Sequence, residues 1–120
     1  MVFLHQRLAV AVILYLVLAA LWGLGLFIRK QPMSPAYRGM LTIAEGVLIA
    51  QTLVGIVVYL TAPHPRTVLH FLYGALSVLI IPGASVFAQG RREARHPLIF
   101  GIATIFLTGL AIRATTTGTP

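Results

Sequence analysis

Apolar residues run along this chain in four long blocks, separated by three short stretches where Pro, Gly, Arg and Lys collect. Each block is apolar around its whole circumference, which is the pattern of a helix surrounded by apolar material rather than by water. The blocks predict helices over 3–28, 36–61, 67–89 and 97–114, with a frayed tail over 115–120. Arg29 and Lys30 close the first. Ser34 is placed to cap the second and Pro35 to occupy its first turn. The prolines Pro63 and Pro65 stop it, because their rings cannot continue a helix. Pro82-Gly83 predicts a kink in the third, and Gly90 ends the run before the fourth. Crossing ~30 Å of hydrocarbon takes about 20 apolar residues. The first three blocks meet that length, and the fourth meets it if Arg113 snorkels.

Composition sharpens this picture. Hydrophobic residues make up 58% of the chain and charged residues 9%, against about 25% charged in an ordinary soluble domain. One small core cannot hide that much apolar surface, so the expected fold class is an all-α integral membrane protein. It forms a single transmembrane domain over 1–120. Loops this short make sequential helices antiparallel, giving an up-down-up-down four-helix bundle. The uncharged run of the first block is longer than a signal-peptide core and lacks a small-x-small cleavage site. It is read as a retained helix.

The net charge is +7. The cations sit in loops and not along a helix face, which points to anionic lipid headgroups and away from nucleic acid. Arg29, Lys30, Arg38, Arg91, Arg92 and Arg95 fall on one side of the predicted bundle, and Arg7, Arg66 and Arg113 on the other. The richer side faces the cytoplasm, which puts both termini on the non-cytoplasmic side of a bacterial cytoplasmic membrane. With no cysteine in the chain, disulfides, thiolate metal sites and covalent c-type haem are excluded.

Against this apolar background each polar side chain is a candidate for chemistry. His70 shares a helical face with Gly74 and Ser77. A neutral imidazole can ligate haem iron, and a glycine one turn away lets a porphyrin approach the helix. His5 lies on the same side of the predicted bundle, on the diagonal helix, and a ~13 Å diagonal suits a bis-imidazole haem. Arg66 and Arg113 are placed to pair with propionates. Counting from the helix ends puts His5 roughly one turn further out than His70, a mismatch that this reading must survive. His64 and His96 flank prolines and are read as loop or cap residues.

Glu45 is the acidic residue inside a predicted span, about 10 Å from the end of its helix. Trp22, Ser85 and Thr104 are expected at comparable depth, and Gln51 and Ser77 deeper. Together they predict an intramembrane polar seam, either interhelical hydrogen bonding or a proton or quinone site. Trp22, Tyr37 and Tyr59 lie near helix ends, where interfacial anchoring is expected. Small-residue pairs such as Ala19 and Gly23, or Ala84 and Ala88, suit close helix packing or docking to other membrane subunits or to a second copy.

Three function classes fit these residues. The leading one is a small subunit of a respiratory or photosynthetic electron-transfer complex, binding b-type haem near its non-cytoplasmic side through His5 and His70. The layout resembles four-helix membrane cytochromes in general plan. The second is a cofactor-free accessory or assembly subunit that stabilises a membrane complex. The third is a small dimeric proton-coupled transporter using Glu45. In length, helix count and possession of one buried glutamate the chain resembles small multidrug-resistance exporters. Their glutamate is on the first helix, which here carries no acid. There is no nucleophile–base pair, phosphate loop or HExxH spacing to suggest an enzyme acting alone.

Overall fold

The computed structural model describes residues 2–61 and 69–117. Among them are four long helices and no strand: α1 (Val2–Ile28), α2 (Pro35–Thr61), α3 (Leu69–Ala88) and α4 (His96–Thr117), with a 3₁₀ turn at Glu93–Arg95 before α4. All four are long and apolar enough to cross a membrane. The molecule measures 47 × 23 × 19 Å, with a long axis that exceeds ~30 Å of hydrocarbon.

Local chemistry explains the helix ends. The α1 C-terminus closes with Gln31 N donating to Leu26 O at 2.8 Å and Lys30 N to Phe27 O at 3.0 Å. This is the paired bonding that satisfies the last carbonyls of a helix, and it drives the reversing residue left-handed. That residue is Lys30, at φ 59°, where glycine is the usual occupant. Gly90, at φ 78°, does the equivalent job after α3. The predicted Ser34 cap is present: Tyr37 N donates to Ser34 Oγ at 3.1 Å. Helix α4 runs through the first three residues of the tail predicted to fray. The Thr115 hydroxyl donates back to Ile112 O at 2.6 Å, tying that turn to the helix. The predicted start of the third helix, at 67, lies outside the described residues.

Packing is uneven around the bundle. Helix α1 packs most extensively on α4 and also on α2, α4 packs on α3, and α2 meets α3 least. The buried faces repeat every three or four residues: Val12, Leu16 and Ala19 on α1, Tyr37, Leu41, Ala44 and Leu48 on α2, Phe100, Thr104 and Leu107 on α4. Helix α3 contributes only Ile81 and Ala88 to the fully buried set. Large apolar side chains such as Leu14, Leu18, Leu53, Leu60, Leu79 and Phe106 point outward.

Glycines set the closest approach of α1 and α4. A Cβ at Gly101 would sit 3.1 Å from Leu24 Cδ2 and 3.2 Å from the Leu24 backbone nitrogen. A Cβ at Gly23 would lie 3.1 Å from Gly101 Cα and would run into the Tyr37 hydroxyl. Tyr37 therefore corrects the expectation of an interfacial anchor: it is 0% exposed. Its ring rests on Trp22 with centroids 5.6 Å apart, and the missing side chain of Gly23 leaves room for the hydroxyl. Trp22 and Tyr59 keep partly exposed rings, as expected of anchors.

Candidate functional site

His5 and His70 meet. The rings of His5 and His70 lie with centroids 6.1 Å apart and planes at 80°. This removes the one-turn mismatch in depth expected from counting along the helices. His70 is the second described residue of α3 and His5 the fourth of α1, so both sit in a first helical turn.

Each histidine has its own support. His70 Nδ1 lies 3.0 Å from the carbonyl oxygen of Ala114 on α4. A carbonyl only accepts, so Nδ1 carries the proton. In a neutral ring that leaves the Nε2 lone pair available. This carbonyl-fixed arrangement is the one that orients metal-binding imidazoles generally. Phe71 stands edge-on to His70 at 6.2 Å and to Tyr59 of α2 at 5.2 Å.

His5 is held from α2. The Gln51 amide donates to the His5 backbone carbonyl at 2.8 Å. One turn later, Gly55 lies against the imidazole: a Cβ there would be 3.0 Å from His5 Cε1. His5 Nδ1 is shielded from solvent and has no hydrogen-bond partner, and the same is true of Gln51 Oε1. Buried polar atoms are rarely left this way, since each costs about 1–3 kcal/mol. Two such atoms beside one histidine pair mark a polar site with unused hydrogen-bonding or ligating capacity.

Of the predicted propionate partners, Arg113 is exposed on α4, next in sequence to Ala114. It is therefore at the histidine end. Arg66, with His64, lies outside the described residues. Gly74 is one turn from His70, and a Cβ there would meet nothing within 4 Å. His96 opens α4, and its Nε2 is buried without a partner.

The predicted seam divides in two. Gln51 belongs to the histidine pair. Ser77 and Thr104 turn back on their own helices, Ser77 to Gly74 O at 2.7 Å and Thr104 to Phe100 O at 2.8 Å and Gly101 O at 3.0 Å. Trp22 packs on Tyr37. Glu45 and Ser85 instead line a separate cleft of about 450 Å³ between α2 and α3. Glu45 Oε1 is buried there with no hydrogen-bond partner.

Sequence reasoning missed Gly55 and the Ala114 carbonyl as parts of the histidine site. Gly55 stands four residues after Gln51, which looks like ordinary helix packing when the partner helix is unknown. A backbone carbonyl has no sequence signal at all. Comparison with known proteins supplies no relative: the chain matches no family model, no curated protein and no solved structure.

Proposed function

We propose that this chain is a transmembrane subunit of a respiratory or photosynthetic electron-transfer complex, holding one b-type haem between His5 and His70. The carrying observation is the separation of the two rings, 6.1 Å between centroids. The donor chemistry also fits. His70 is held through Nδ1, His5 has an unpartnered ring nitrogen, and Gly55 lets the His5 ring pack directly against α2.

A bound haem would supply one-electron transfer. The residues of this chain hold the imidazoles and exclude water. Gln51 fixes the first turn of α1, Ala114 fixes the tautomer of His70, and Gly74 leaves open space on the His70 face. Arg113, at the histidine end of α4, would be a cation for the propionates.

The bundle is read as up-down-up-down. Contacts between α1 and α2 support that order, because His5 meets Gln51, Tyr15 meets Met40, and Trp22 meets Tyr37. Residue numbers rise along one helix as they fall along the other. The loop cations orient it with both termini on the non-cytoplasmic side, and the basic loops face anionic headgroups. The outward apolar faces are available to lipid, to other membrane subunits or to a second copy.

The test is a reduced-minus-oxidised visible spectrum of the full chain purified in mild detergent. The expected result is a Soret band and an α-band, both lost in His70→Ala and in His5→Ala. A colourless preparation that is stoichiometric with its partner subunits would overturn the haem reading and favour a cofactor-free accessory role.

A further inference from the structure

We propose that the cleft between α2 and α3 binds the head group of a lipid-soluble quinone, with Glu45 accepting a hydrogen bond from a hydroxyl of its reduced, quinol form. The cleft lies at the seam where the bundle is least packed, and it has a volume of about 450 Å³. That is within the ~300–1,000 Å³ range of small-molecule sites. Exposed residues line it, including Gly46 and Ile49 on α2 and Pro82 and Ser85 on α3, so it opens to the surrounding medium along the bundle's side. A ligand enters such a site from the plane of the membrane.

The lining selects among membrane-borne ligands. Glu45 Oε1 is shielded and unpartnered, so it has hydrogen-bonding capacity that no protein group uses. Arg38 also lines the cleft, and the Ser85 hydroxyl stands on the opposite wall. An anionic headgroup would satisfy Arg38 but repel the carboxylate. An organic cation would do the reverse. A neutral ring bearing carbonyl or hydroxyl oxygens satisfies both: Arg38 and Ser85 donate to a carbonyl, and Glu45 accepts from a hydroxyl. Ile49, Ile81 and Phe100 supply apolar walls for the ring and the first part of a tail.

Space for the ring comes from Gly46, where a Cβ would meet nothing within 4 Å. Leucine at that position fills the cleft without touching the histidine pair. This inference does not rest on the haem reading, and its test has a separate readout.

Trp22, the sole tryptophan, packs on Tyr37, the residue next to Arg38. Its fluorescence is the readout, and the cleft-filling variants decide whether quenching arises there. The full chain in detergent micelles is titrated with a benzoquinone carrying a ten-carbon tail. Saturable quenching is expected. The midpoint should rise tenfold or more in Gly46→Leu, and also in Ser85→Phe, which fills the cleft from the other wall. In Glu45→Ala the midpoint for the reduced quinol should rise severalfold, while that for the quinone, which has no hydroxyl to donate, should change little. Gly109→Leu adds the same volume at another open glycine, on α4, and should leave the midpoint unchanged. Circular dichroism and gel filtration identify any variant that misfolds. If Gly46→Leu does not fold, Ser85→Phe carries the decision. Linear quenching, a midpoint indifferent to both filling variants, or an equal shift in Gly109→Leu would each overturn the proposal. So would displacement of the quinone by anionic phospholipid at matched concentration, which would assign the cleft to headgroups. The visible spectrum of Gly46→Leu should match wild type.

Discussion

Gly55, Gly74 and Gly101, each replaced by alanine, make a series in which one added methyl group meets three different surroundings. In a helix interior the change from glycine gains ~0.8–1 kcal/mol through backbone entropy. At Gly74 the new Cβ meets nothing within 4 Å, so the gain is kept and stability rises by about that amount. At Gly55 the methyl lies 3.0 Å from His5 Cε1, against ~3.5–4.0 Å for relaxed carbon contacts. The imidazole is the far end of a side chain and can swing by roughly half an ångström. Overall stability then stays within about 0.5 kcal/mol of wild type, while the His5 ring is displaced. At Gly101 the methyl meets Leu24 Cδ2 at 3.1 Å and the backbone nitrogen of Leu24 at 3.2 Å. Backbone cannot swing aside, so α4 must move off α1. Overpacking of this kind costs ~1–3 kcal/mol. The expected order of stability is Gly74→Ala above Gly55→Ala above Gly101→Ala, with ends separated by the overpacking cost, about 1–3 kcal/mol. Reversible unfolding in mixed micelles, followed by circular dichroism, measures it. On the haem reading, both of the more stable variants shift the visible spectrum, Gly55→Ala by displacing the His5 ring and Gly74→Ala by filling the space on the His70 face. If Gly101→Ala proves as stable as Gly74→Ala, the close approach of α1 and α4 is wrong.

Other outcomes follow from the helix ends and the core. Lys30→Gly should stabilise by about 1 kcal/mol and Gly90→Ala should destabilise by about as much, since each position holds a positive φ that glycine alone adopts freely. Thermal melts of the pair in detergent decide this, and shifts of the same sign would refute it. The Tyr37 hydroxyl lies near Thr104 but forms no hydrogen bond of its own. Tyr37→Phe should therefore be neutral or slightly stabilising, whereas Tyr37→Ala should cost ~3–5 kcal/mol by opening a cavity against Trp22. A large loss in Tyr37→Phe would reveal a bond that the geometry does not contain. Gln51→Leu removes the bond to the His5 carbonyl and should cost ~0.5–1.5 kcal/mol in a detergent unfolding measurement; on the haem reading it should also loosen haem retention.

The four helices were legible because long apolar runs leave no other secondary structure available to a chain in apolar surroundings. The Ser34-Pro35 start of α2 was legible for a similarly local reason: a hydroxyl and a fixed φ act on the next turn of the same chain. Tyr37 was misread because its position near a helix end suggested the interface. Its burial depends on Gly23 and Gly101, which belong to two other helices. The histidines were identifiable as polar intrusions, but their contact depended on where α3 begins. The supporting carbonyl of Ala114 is invisible to any reading of side chains. Of the residues expected in one polar seam, Glu45 and Ser85 line a shared cleft, Gln51 bonds at the histidine pair, and Ser77 and Thr104 bond back to their own helices. Depth along each helix can be counted from a sequence, whereas rotation about each axis is set by packing.

The unequal seams of the bundle also bear on how the chain is put together. The contacts between α1 and α2 become available once the first 61 residues are made, so those helices can pair as a hairpin early. The most extensive interface, α1 against α4, joins helices at opposite ends of the described chain and forms after all the others. Until Gly101 reaches Gly23, α1 keeps its small-residue groove unfilled, and the carbonyl that orients His70 has not yet been synthesised. A half-made bundle therefore has no finished histidine pair. On the haem reading, capture of the cofactor would wait for the last helix.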